Sequence, residues 1–275
     1  MTTSENSTVK VPPINKKSFL ILWVLCILGF LAIIPYSYSL SGMPLSTSDL
    51  TSTGFLFSSA QNILLFGLFI WTGLYVARRV NLGTPILDGL VKKEPVGDKV
   101  RVMLAPAILI GAVSAVIIIL LDSYIFGPPL QAELKLLGLN LPESVNPPAW
   151  QGFLASFYGG INEEILLRLF VMTLIGAIGA AVFKKMDQKL PAGIFWVANI
   201  LAAILFGLGH LPTTAAIGLP MDLLVITRAI ALNGLLGIGF GWLYWKYGLE
   251  SAMLGHFTAD IVLHVLAPIA SGLLL

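Results

Sequence analysis

The chain alternates between long apolar runs and short polar or proline-bearing segments. Runs of roughly 20 apolar residues, the length a helix needs to cross a hydrocarbon core, fall near 18–37, 60–77, 102–121, 151–183, 192–210, 223–245 and 250–273. The fourth is too long for one upright pass and reads as tilted, kinked or double, so the pattern predicts seven or eight spans. The stretch Pro128–Pro148, bounded by proline pairs and interrupted by Gly138 and Pro142, cannot be one membrane helix. Its leucines at 130, 134 and 137, with Glu133 and Lys135 between them, predict a short helix lying at the interface. Residues 1–12, rich in Ser, Thr and Asn, predict a disordered tail.

Composition agrees with this pattern. Only 11% of residues are charged, 57% are hydrophobic and the mean hydropathy is +0.90, too little polarity to build a water-facing surface. The predicted fold class is an all-α integral membrane protein, a helix bundle with an intramembrane polar cavity. The first run follows Lys16 and Lys17, has no small-residue cleavage site and is longer than a signal h-region, so it is expected to be a retained helix. Cys26, the single cysteine, lies inside that run, which excludes an intrachain disulfide and assigns it to packing.

The net charge of +2 comes from basic residues at span ends rather than from a patch, which excludes nucleic acid as a partner. Lys10, Lys16 and Lys17 precede the first run, and Arg78, Arg79, Lys92, Lys93, Lys99 and Arg101 lie between the second and third. Lys184, Lys185 and Lys189 follow the fourth, and Lys246 follows the sixth. The loop at 38–59 has none. By the positive-inside rule the N-terminus is expected on the cytoplasmic side. The chain divides into an N-terminal part, 1–149, holding the tail, three spans and the interfacial linker, and a part at 150–275 that carries every candidate catalytic group.

Those groups form three constellations in apolar surroundings: Glu163, Glu164 and Arg168; Phe206 and His210; His256 and Asp260. A charge near the bilayer centre costs roughly 3 kcal/mol on insertion scales, and ionisable residues there tend to pair and to mark a functional pathway. Glu164 and Arg168, at i and i+4, share a helix face and form a pair. Glu163 is turned about 100° away, without a partner in the motif, and is free for chemistry. Taken singly, a membrane histidine most simply makes an interhelical hydrogen bond, and the Glu164–Arg168 pair a structural salt bridge. Two carboxylates, two histidines and an aspartate on three separate helices are more economically explained by one shared site.

Glu-Glu-x-x-x-Arg, Phe-x-x-x-His and His-x-x-x-Asp, each on its own apolar helix and in this order over about residues 150–265, resemble the CAAX protease and bacteriocin-processing family. That family includes the endoproteases that trim prenylated CAAX proteins. The resemblance implies an intramembrane endopeptidase acting on a membrane-associated peptide or lipidated C-terminus, in the bilayer of a prokaryotic cell. Peptide hydrolysis needs a base for water and donors for the oxyanion that forms. Glu163 is expected as the base, His210 as the residue orienting the same water, and His256 as an oxyanion donor, with Glu164 and Arg168 in support. The family also has asparagine at position 260. An ionised Asp260 would repel an oxyanion, so it is expected either to be protonated or, the favoured reading, to act indirectly by orienting His256 and raising its basicity.

Two histidines with carboxylates also satisfy zinc. The absence of a His-Glu-x-x-His helix and the resemblance favour a site without metal or other cofactor. A non-proteolytic protein of the same family, such as an immunity factor, scaffold or transporter, is the alternative; a transporter is disfavoured because no matching half-repeats occur. His264, Asn199 and Asn233 are expected to make interhelical hydrogen bonds, and Arg228, near its helix start, to snorkel. Gly234, Gly237, Gly239 and Gly241 are expected to permit close helix packing. One conflict stands in the pattern: in simple alternation His210 falls near the outer end of its helix, while His256 lies within about 12 Å of the inner end of its own. Irregular helices are therefore expected, first at Gly159-Gly160 and Gly207-x-Gly209.

Overall fold

The computed structural model describes residues 14–139 and 147–273; the expected tail at 1–12 and the middle of the Pro128–Pro148 stretch lie outside them. Among the described residues, seven helices are long and apolar enough to cross a membrane: α1 (Lys16–Leu40), α2 (Thr53–Arg79), α3 (Gly97–Leu136), α4 (Ala149–Val182), α5 (Ala192–Ala216), α6 (Leu223–Tyr247) and α7 (Leu249–Ser271). No strand occurs among the described residues. The protein is an all-α integral membrane bundle.

Local chemistry sets several of the helix ends. Ser52 and Asp222 accept the N–H groups of Phe55 and Val225 and so cap α2 and α6. That bond holds the Asp222 carboxyl below the ordinary carboxylate range. The helix Pro85–Lys92 is capped from a distance by Glu250 of α7, whose Oε1 accepts from the N–H groups of Ile86 (3.1 Å) and Leu87 (2.8 Å).

The fourth run is one helix of 34 residues, not a double pass. At 1.5 Å per residue it is about 51 Å long, well beyond a bilayer core, so a tilted or bent course accounts for its length. It is π-helical over Tyr158–Glu163 and Ile165–Met172, the stretch that bears Glu163, Glu164 and Arg168. The Pro128–Pro148 expectation needs correction as well. Gly127–Leu136 is helical, but it continues α3 through a π turn at Asp122–Phe126 instead of standing apart. That turn accommodates the carbonyls which Pro128 and Pro129 cannot serve. Leu130 and Leu134 pack against Leu219 and Val225, while Leu137 is exposed.

α4 occupies the middle of the bundle, touching α1, α2, α5 and α7. Small residues make its approach to α7 possible. A methyl group at Gly152 would meet the carbonyl of His264, and one at Gly160 would come within 3.0 Å of the Met253 carbonyl. α5 and α6 form the most extensive pair, with Gly237 of α6 against Ala203 and Phe206 of α5.

Candidate functional site

A cavity of about 500 Å³ opens among α1, α3, α4, α5, α6 and α7. Glu163, His210, His256 and Asp260 all line it, and so do His264, Asn233 and Arg228. Glu164 and Arg168 lie behind this wall, fully buried. The three constellations are thus brought to one place.

His256 is the hub. Its Nδ1 is 2.8 Å from Glu164 Oε1, and its Nε2 is 3.7 Å from Glu163 Oε2 and 3.6 Å from Asp260 Oδ1. An ionised carboxylate only accepts, so Nδ1 carries the proton in the bond to Glu164. The contact that orients the ring therefore comes from Glu164; Asp260 faces the opposite nitrogen. Glu164 is also not the partner of Arg168 alone, because its two oxygens are divided. Oε1 takes His256, and Oε2 lies 3.2 Å from Arg168 Nε, in ion-pair contact without hydrogen-bond alignment. Arg168 adds a bond to the Gly237 carbonyl at 3.2 Å and sits over the rings of Phe206 (5.3 Å) and Phe240 (5.7 Å). Phe240 in turn stacks on His256 with centroids 4.6 Å apart.

His210 is arranged in a similar way. Its Nδ1 is 2.9 Å from the Phe206 carbonyl, which only accepts, so Nδ1 carries the proton, and in the neutral ring Nε2 is the acceptor. The depth conflict has two resolutions. The helix does not end at His210 but runs on through Leu211–Ala216, which sets His210 about 9 Å inside the end of α5. Phe206, one turn deeper, bridges the two histidines, with centroids 4.9 Å from His210 and 5.5 Å from His256.

The π segments explain how two adjacent glutamates reach one imidazole. A π turn takes more residues per revolution than an α turn, so consecutive side chains diverge less, and such turns concentrate at functional sites. Thr173 Oγ1 donates to the carbonyl of Arg168 five residues back at 2.9 Å, serving a carbonyl in that wide turn. Gly159-Gly160 falls inside the irregular segment, and Gly159 leaves the space that α7 fills. A Cβ there would collide with Asp260 Oδ2 and lie 3.0 Å from His256 Nε2.

Of the other polar residues, His264 contacts Tyr36 across α1 and α7 (Nδ1 to hydroxyl, 3.2 Å), and Asn199 donates to the Ile238 carbonyl of α6 at 3.0 Å. Asn233 bonds the Ala229 carbonyl within its own helix, not a neighbouring one. Arg228 does not snorkel: Nε and Nη2 each bond an oxygen of Asp122 at 2.6 Å. Asp122 and Asn162 are functional neighbours that no motif in the sequence marks. An acid at the end of an apolar run and an arginine without a partner form a pair that the same charge argument would have found. Asn162 is fully buried and donates to the Cys26 carbonyl at 2.9 Å, fixing α1 to α4; its place beside Glu163 was the available signal.

Among the described residues no three His, Cys, Asp or Glu side chains form a group that could hold a metal ion. Comparison with curated proteins and with solved structures returned no match. Residues 145–262 match the family described as type II CAAX prenyl endopeptidase Rce1-like. That stretch holds Glu163, Glu164, Arg168, His210, His256 and Asp260 together, and over it the chain is similar to that family.

Proposed function

We propose that the protein is an intramembrane endopeptidase that hydrolyses peptide bonds of membrane-associated substrates, prenylated CAAX-type C-termini or leader peptides, with a water activated by Glu163. One observation carries this reading. Of two adjacent glutamates, Glu164 is sealed between Arg168 and His256, whereas Glu163 is 24% exposed on the cavity and 3.7 Å from His256 Nε2. One carboxylate is committed to structure and the other is open to water.

In this mechanism Glu163 takes a proton from water as the water oxygen attacks the scissile carbonyl carbon, and the carbonyl electrons move to its oxygen. His210 Nε2 accepts the second water proton in a hydrogen bond and orients the attack. With Nδ1–H held by Glu164, His256 donates from Nε2 to the oxyanion in its imidazolium form. Asp260, beside the same nitrogen, favours the imidazolium before attack and must itself take up a proton or turn from Nε2 as the oxyanion forms, so its role is electrostatic and not the orienting one. Collapse of the intermediate breaks the C–N bond. Glu163 then returns its proton to the leaving amine.

Zinc is not invoked, because a carboxylate open to the cavity beside His256 supplies a base for water without it. Cleavage that is lost to a chelator and restored by zinc would overturn that choice. The decisive experiment is cleavage of a membrane-peptide library by purified protein. Glu163→Gln is expected to lose about 100-fold or more, the usual contribution of a general base. Full cleavage by that variant refutes the mechanism, and no cleavage by the wild type against any membrane peptide favours a binding role.

A further inference from the structure

A second cavity, of about 650 Å³, lies at the other polar end of the bundle. It is walled by the segment after α2, the start of α3, the α4–α5 connection and the α6–α7 turn. All of these belong to the basic end, where Arg78, Arg79, Lys92, Lys93, Lys99, Arg101, Lys184, Lys185, Lys189 and Lys246 gather.

Two residues of its wall each carry a buried polar atom without a protein partner, the Thr84 hydroxyl and Trp245 Nε1. Thr84 is 1% exposed and precedes the helix Pro85–Lys92 without capping it, since Glu250 already fills that helix N-terminus. Trp245 Nε1 can only donate, and the hydroxyl can also donate. Buried donors without acceptors cost free energy, so the wall calls for a ligand rich in acceptors. Lys99, Lys189 and Lys246 surround the same space, against Asp88 and Asp98. Asp88 is engaged by the Ser18 hydroxyl at 2.9 Å. Lys99 is held at the cavity by the Pro85 carbonyl (3.2 Å), and Lys246 by the face of Trp245 (3.9 Å).

We propose that this cavity binds the phosphate headgroup of an anionic phospholipid. Three ammonium groups and two orphaned donors match the non-bridging oxygens of a phosphodiester. The location matches the leaflet too, because basic span ends mark the side whose lipids are anionic. Val102 and Leu82 on the wall supply apolar surface for the glycerol end. The site is separate from the proposed catalytic cavity and does not depend on it.

The test uses the full chain in detergent, with bound lipid counted by native mass spectrometry and thermal unfolding followed alongside. Phosphatidylglycerol, phosphatidylcholine of the same acyl chains, and inorganic phosphate are compared. Phosphatidylglycerol is expected to bind and to raise the unfolding temperature, with the other two weaker. Replacing Lys99, Lys189 and Lys246 together by Gln is expected to weaken binding on the order of 100-fold, at about 1 kcal/mol for each lysine. Thr84→Val is expected to weaken it about tenfold, as for a lost bond to a charged acceptor. A control removing Lys92, Lys184 and Lys185, which do not line the cavity, should change it little, since exposed charges are screened by salt. Equal effects of the two triple variants would assign the preference to the basic face as a whole and sink the site. Equal stabilisation by inorganic phosphate would overturn the lipid assignment, as would equal binding of phosphatidylcholine.

Discussion

The arginine–carboxylate pairs Asp122–Arg228 and Glu164–Arg168, both built into the apolar helices, are opposites. Asp122–Arg228 joins α3 to α6 with two bonds of 2.6 Å, and its side chains are 35% and 25% exposed. Glu164–Arg168 lies within α4 at a single 3.2 Å contact, with side chains 0% and 1% exposed. Judged by distance, the first is the better pair. Judged by surroundings, the second matters more, because a buried charge stripped of its partner has no water to turn to. The looser geometry has a cause. Glu164 gives its other oxygen to His256, so the pair trades ideal alignment for holding an imidazole against Glu163. A short salt bridge in a membrane protein thus says less about importance than the number of groups its members position.

The comparison is most exposed to failure at Arg168. Arg168→Leu is expected to destabilise the protein by about 3–5 kcal/mol, the cost of leaving Glu164 buried and unpaired, as read by thermal or denaturant unfolding in detergent. A loss no larger than that of Asp122→Asn would break the argument from burial. The neighbouring Glu163→Gln is expected to change stability by less than about 0.5 kcal/mol, as for substitutions away from packed features. Stability and chemistry would then separate between adjacent residues.

Gly159→Ala comes next, at about 1–3 kcal/mol for overpacking. Its added methyl meets Asp260 and His256, so cleavage should fall further than stability. Measuring kcat and the unfolding midpoint on one preparation checks this, and unchanged kcat would show that α7 yields without disturbing the site.

The spans were legible because a bilayer imposes one length and one polarity on every helix that crosses it. The three motifs were legible because charge in apolar surroundings is rare enough to mark itself. What the pattern did not disclose was the partner geometry. Counting 100° per residue sent Glu163 away from Glu164, yet π turns bring both to the flanks of His256. Spacing of i and i+4 suggested that Asp260 orients His256, while the orienting bond comes from Glu164, 92 residues earlier. Arg228 reads in the sequence as a snorkelling side chain because its acid, Asp122, sits 106 residues away on another helix. In each case the missing information was a tertiary contact, which no local period encodes.

The smallest effect belongs to the exposed pair. A double-mutant cycle on Asp122→Asn and Arg228→Gln is expected to give a coupling of about 0.2–1 kcal/mol, the range for ion pairs reached by water. The same cycle on Glu164→Gln and Arg168→Leu should give several-fold more, because each single change leaves a charge in a dry site that the double change removes. Salt separates the two cases further. Raising ionic strength screens the pair that faces the cavity and leaves the sealed one nearly untouched. If the Asp122–Arg228 coupling instead matches that of Glu164–Arg168 and resists salt, the cavity is drier than the exposure of its walls implies. Water would then have to reach Glu163 by a route that does not pass Arg228.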